Sequence, residues 1–188
     1  MQIDPNSYRL VSAEWCPSPN FDDRDDGCEP EVIIIHCISL PPGQYGTNHI
    51  KRFFQNSLAK HKHSYFESIA ELQVSSHFLI DRLGVITQFV ATDKRAWHAG
   101  ESMCYDRPKV NNFSIGIELE GWDEDEQGFS DSQYNSLAEL TGCLTEFYPQ
   151  ISHRSIFAHS DIAPGRKPDP GPYFDWDFYY SLLDNSSI

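Results

Sequence analysis

Apolar and polar positions along this chain alternate between strand-like and helix-like periods. Glu31–His36 contains an unbroken β-branched run, Val32-Ile33-Ile34-Ile35, which predicts a strand covered on both faces. Leu40-Pro41-Pro42-Gly43 must end it as a loop. Ile50, Phe53 and Phe54 share one side of a short helix predicted around Asn48–Ser57, and Lys60–Tyr65 reads as a loop with two histidines. His77–Asp81 and Val85–Val90, split by a turn containing Gly84, have a hairpin signature, and Phe113–Glu120 predicts the next strand. Ser130 followed by Gln133 forms a capping-box pattern. Beyond it Tyr134, Leu137, Ala138, Thr141, Leu144 and Tyr148 recur at helical spacing. Ser155–His159 predicts a short strand, the loop carrying Pro164, Pro168, Pro170 and Pro172 is stiff, and Phe174–Leu183 predicts a closing helix. Residues 1–30 read as a turn-rich surface lead-in. The order β-α-β-β-β-α-β-α holds both a hairpin and crossover helices. It predicts an α/β fold: a single domain over residues 1–188 with a central mixed sheet flanked by helices.

The chain's 188 residues suffice for a substantial core without disulfide or metal staples, and 39% hydrophobic with 13% aromatic residues is a globular composition. No stretch approaches the ~20 apolar residues of a bilayer span. The first residues lack the basic and apolar regions of a secretory signal, so a cytoplasmic location is expected. With 28 acidic against 14 basic side chains the net charge is -14, which argues against nucleic acid as a partner. No protein partner is predicted. The five cysteines are odd in number and lack C-x-x-C spacing, as expected of reduced thiols and not of a Cys-ligated structural zinc.

Two of the eight histidines stand out by position: His36 and His159 lie at the carboxyl ends of predicted strands, each before a rigid loop. Ligand sites gather at such ends in sheets with crossover helices. Asp169 follows, held between Pro168 and Pro170. Two imidazoles and a carboxylate would give a catalytic zinc three protein ligands and an open fourth place for water. Nothing resembles the helical His-Glu-x-x-His pattern, and an ordinary turn carboxylate remains an open reading of Asp169. In Phe113–Glu120 alternation puts Ile115, Ile117 and Leu119 on one face and Ser114, Gly116, Glu118 and Glu120 on the other. Glu118, beside the bare Gly116, could serve as acid/base group. Lys167 could stabilise an oxyanion. Solvent-facing glutamates and a solvated lysine are the plainer alternatives.

Taken together, four segments resemble the zinc-dependent N-acetylmuramoyl-L-alanine amidases, and within them the cytosolic AmpD type. They are Ile35-His36-Cys37-Ile38-Ser39-Leu40-Pro41-Pro42-Gly43; Asp93-Lys94-Arg95-Ala96-Trp97-His98-Ala99-Gly100; Asn112 to Gly121; and His159 to Pro172. The resemblance runs from about Tyr8 to Leu183. It implies Zn2+ held by His36, His159 and Asp169, with Glu118 and Lys167 as the catalytic pair. The reaction it implies is hydrolysis of the amide between the lactyl group of 1,6-anhydro-N-acetylmuramic acid and L-alanine in cell-wall recycling. The anhydro-muropeptide substrate carries carboxylates, so Arg95, Lys109 and Arg166 are expected to line the groove, with Trp97 as an apolar wall and His98 as a substrate or outer contact. Three positions depart from the pattern: Cys37 replaces Asn, Gln73 a basic residue and Gly165 an acidic one. Two rival readings are a non-catalytic peptidoglycan-fragment recognition module on the same scaffold and a cysteine hydrolase using Cys37 or Cys104.

Overall fold

The computed structural model describes residues 1–185. Its main sheet has six strands: β1 (Glu14–Trp15), β2 (Val32–Ile38), β3 (Phe78–Ile80), β4 (Ile86–Gln88), β5 (Ser114–Glu120) and β6 (Ile156–Ala158). They lie in the order β6-β2-β5-β3-β4-β1, mixed as expected: only the β3–β4 hairpin is antiparallel. The helices are α1 (His49–Phe54), α2 (Ser64–Ile69), α3 (Asp131–Phe147), α4 (His159–Ile162) and α5 (Trp176–Asn185). Among the described residues no helix is long and apolar enough to cross a membrane.

The continuous apolar run of β2 follows from its central place, since both of its faces are covered. Ile33 and Ile35 join Ile115, Ile117 and Leu119 of β5 against Leu137, Leu140 and Leu144 of α3 and Tyr179 of α5. Val32 and Ile34 face the other way, toward Ala99, Val110, Phe113 and Ile162. A third cluster packs Phe53, Phe54 and Phe66 of α1 and α2 against Leu79 and Phe89. The Ser130 capping box forms as its sequence foretells, and the buried Gln133 side chain also donates to the carbonyls of Ile80 (3.3 Å) and Glu120 (3.0 Å). One amide thereby ties the start of α3 to the ends of β3 and β5.

Several sequence expectations need correction. Lys60–Tyr65 is not a loop: a 3-10 turn over Lys60–Lys62 leads into α2, where His63 caps the helix by accepting from the Tyr65 N–H at 3.1 Å. A single fully buried side chain, Phe66, anchors that helix, too few apolar positions to show a period. The lead-in is built into the fold: β1 forms a sheet edge, and Phe21–Asp23 pairs antiparallel with Lys94–Ala96. His159 opens α4 instead of ending a strand, because Asp161 accepts the Ala158 N–H at 2.8 Å. The closing helix starts two residues late, at Trp176, with Asp175 accepting from the Phe178 N–H.

Candidate metal centre and cavity

Three adjacent parallel strands deliver the site. On β2 and β5, His36 and Glu118 are Cα partners in register. On the other side of β2, Ala158 of β6 pairs with Ile35, so His159 emerges beside His36. Asp169 reaches back from the proline-rich loop, whose backbone is pinned by a bond from the Ser160 N–H to the Asp169 carbonyl at 3.0 Å. The result is a triangle of donor atoms: His36 Nδ1 to His159 Nδ1 is 2.9 Å, and Asp169 Oδ2 is 3.1 Å and 3.0 Å from them.

Both imidazoles use their outer nitrogen elsewhere. His36 Nε2 meets His98 Nδ1 at 2.9 Å, and His159 Nε2 meets the Ala99 carbonyl at 3.3 Å. Since a carbonyl only accepts, His159 Nε2 carries the proton. With His36 in the same tautomer, the two Nδ1 lone pairs and the carboxylate face one another, and three acceptors this close repel unless a cation lies among them. The geometry therefore fits a metal ion, and these three residues form such a donor group. Burial pushes the His36 pKa down to about 4, which keeps the ring neutral and a lone pair free for an ion.

Glu118 is only 8% exposed, and its Oε2 is buried without a hydrogen-bond partner. Burial, reinforced by Asp169 and opposed by Lys167, pushes its pKa well above the ordinary value. Glu118, Lys167 and the three donor residues border one cavity of about 330 Å³. Phe53, Ile69 and Leu72 supply an apolar wall, and the half-exposed Tyr65 and Trp122 stand at its edge.

Of the five residues expected to contact substrate, only His98 borders this cavity, and its two ring nitrogens are taken up by His36 and by Ser114 Oγ (3.0 Å). Arg95 is turned away by Asp22 (two bonds of 2.7 Å) and Asp25 (3.1 Å), and Trp97 Nε1 donates to Asp22 at 3.1 Å. Arg166 is bound to the Ala99 and Glu101 carbonyls at 2.6 Å, and Lys109 is an exposed residue at a left-handed bend, φ 61°. The acidic lead-in accounts for the first two, since it pairs with the strand that carries Arg95 and that ends just before Trp97. Trp122, Tyr65 and Asp123 border the cavity without having been singled out in the sequence. Trp122 lies two residues past the end of β5, and that strand-end position is the one signal it offered. Cys37 borders the cavity too, although it packs on the opposite face of β2. Burial and then the charges of Asp169, Glu118 and Asp123 push its thiol pKa far up, so it stays protonated. That removes the activation a Cys37 hydrolase needs.

The family model for N-acetylmuramoyl-L-alanine amidases matches residues 26–172, spanning every segment that builds the centre. The chain belongs to that family. It is 49% identical over 174 residues to the 1,6-anhydro-N-acetylmuramyl-L-alanine amidase AmpD of Haemophilus influenzae, covering 93% of this chain and 94% of that one. An AmpD crystal structure, a selenomethionine derivative, superposes with a TM-score of 0.93 at 45% identity, covering 97% of this chain and 99% of the other. AmpDh3 of Pseudomonas aeruginosa in complex with an anhydromuramic pentapeptide is 27% identical, with a TM-score of 0.64, over 97% of this chain and 66% of its own. The mixed six-stranded sheet is thus shared with AmpD structures.

Proposed function

We propose that this amidase is a zinc enzyme of the AmpD type. It hydrolyses the amide between the lactyl group of 1,6-anhydro-N-acetylmuramic acid and L-alanine in muropeptides, in the cytoplasm. The observation that carries this is the convergence of His36, His159 and Asp169 beside a buried, unpartnered carboxylate in one cavity. Near-full-length similarity to AmpD supports the substrate, and five unpaired thiols support the compartment.

Two imidazoles and a carboxylate would hold the ion and leave a fourth place open. When bound, zinc supplies a Lewis acid and brings the pKa of a coordinated water from ~16 to about 7. Glu118, a buried carboxylate with an unpartnered oxygen beside the donor group, takes the proton of the attacking water. As the carbon–nitrogen bond breaks, Glu118 returns that proton to the departing alanine nitrogen. Lys167, at the cavity edge, places an ammonium where negative charge develops on the lactyl oxygen. The apolar wall and Trp122 offer the surface on which the sugar would rest.

Mass spectrometry of the products from an anhydro-muropeptide, together with zinc stoichiometry, tests this. Wild type with one zinc should release free stem peptide, and the Glu118→Ala protein or a chelated sample should not. One zinc with no peptide released would instead mark a peptidoglycan-fragment recognition module.

A further inference from the structure

Both candidate ligand imidazoles are backed by consecutive residues of one loop. The His98 side chain meets His36 Nε2 at 2.9 Å, and the Ala99 carbonyl meets His159 Nε2 at 3.3 Å. The loop itself is clamped. Asn111 Oδ1 accepts the N–H groups of both His98 (3.2 Å) and Ala99 (2.7 Å), and Ser75 Oγ accepts that of Trp97 (3.1 Å). Behind His98, Ser114 Oγ lies 3.0 Å from its Nε2. The ring also fills space that only a glycine leaves open: a Cβ on Gly116 would come within 2.5 Å of His98 Cγ.

We infer that His98 is a positioning residue for the metal centre and not a substrate contact: its Nδ1 accepts from His36 Nε2, fixing Nδ1 of His36 as the donor toward the ion, while Ala99 does the same for His159. This rests on the proposed zinc site. The proton order follows from the contacts. His36 Nε2–H donates to His98 Nδ1, which leaves His98 Nε2–H to donate to Ser114 Oγ. Histidine ligands are commonly backed by a carboxylate, a carbonyl or water. A neutral imidazole in that place orients the ligand without adding negative charge, so Asp169 alone brings a formal charge to the ion and its polarising power is preserved.

The test replaces His98 by Leu and by Asn and measures zinc affinity in competition with a chromophoric chelator. Asn can set its Oδ1 where Nδ1 stands, whereas Leu offers no acceptor. His98→Leu should bind zinc about 10–100-fold more weakly, and His98→Asn should recover most of that loss. Equal affinity of wild type and His98→Leu would overturn the inference, as would equal losses in both variants. Nitrogen-15 spectra of the wild-type histidines provide a readout independent of any variant's folding. Zinc-loaded protein should show protons on Nε2 of His36, His98 and His159, and a proton on His98 Nδ1 would also overturn it. Failure of wild type to bind zinc at all would count against the proposed function itself.

Discussion

Glu118 on β5 and His36 on β2 face each other in register across a parallel strand pair, and both are buried. Partners in register share a sheet face, so the proposed base and the proposed ligand are spaced by backbone pairing and not by a loop. The expected consequence is that the two roles separate by mutation. Glu118→Gln should lower kcat by roughly 10²–10⁴-fold, the usual worth of a positioned acid/base group, and leave zinc affinity unchanged. Turnover assays and chelator competition on the same protein check this. A variant that keeps wild-type turnover would remove Glu118 from proton transfer.

Gly116 and Gly142 make opposite predictions for one substitution. A methyl at Gly116 meets His98 at 2.5–2.8 Å, so Gly116→Ala must displace that ring or the strand, costing about 1–3 kcal/mol and weakening zinc binding.

Gly142 lies inside α3 with nothing within 4 Å of an added Cβ. Gly142→Ala should therefore stabilise the protein by about 0.5–1 kcal/mol through helix propensity alone. Urea unfolding of the two variants beside wild type reads both signs, and a destabilised Gly142→Ala would show that the helix is constrained in some other way.

Buried neutral histidines weaken the fold in acid. His77 Nδ1 accepts the Gly116 N–H at 3.0 Å while Nε2 donates to the Lys94 carbonyl at 3.0 Å, so the neutral ring is satisfied at both nitrogens. Burial, and then the Arg24 guanidinium 3.3 Å away, push its pKa from 6.5 to about 3. Between those values the unfolded chain binds a proton that the folded one refuses. Stability is thus complete above about 6.5 and declines as pH falls through this window, by ~1.4 kcal/mol per pH unit for this group. His36 and His98 shift in the same direction. Comparing metal-free wild type with His77→Gln isolates the His77 share. The variant's urea midpoint should fall less between pH 7.5 and 5, and parallel curves would contradict this.

How much of this was legible in the sequence depended on whether the cause was local. The β2 run, the β5 alternation and the α3 capping box are each specified by a few neighbouring residues, and all three form where the pattern puts them. His36 and Glu118 could be placed because a strand has only two faces. The substrate-facing surface was not legible in the same way. Whether Arg95 is available depends on Asp22, on a paired strand, and Asp25, just past its end, both about seventy residues earlier, and no local pattern reports that approach. Trp122 sits beyond a strand end, where apolar periodicity has stopped, and α2 hangs on Phe66 and a histidine cap that propensity does not anticipate.

Cys37 offers the last discrimination, because it borders the cavity at a position where the family resemblance predicts Asn. A thiol that took part in the chemistry would have to ionise, yet burial and three nearby carboxylates oppose this. Cys37→Ala should therefore retain most of the wild-type turnover, and alkylation of Cys37 by iodoacetamide, followed by peptide mass spectrometry, should be slow at pH 7. If turnover collapses in Cys37→Ala while zinc stoichiometry stays at one, the side chain contributes to substrate binding or chemistry. Cys37→Asn, the amide expected of the family, then separates those cases: recovery of KM with unchanged kcat would assign the position to binding.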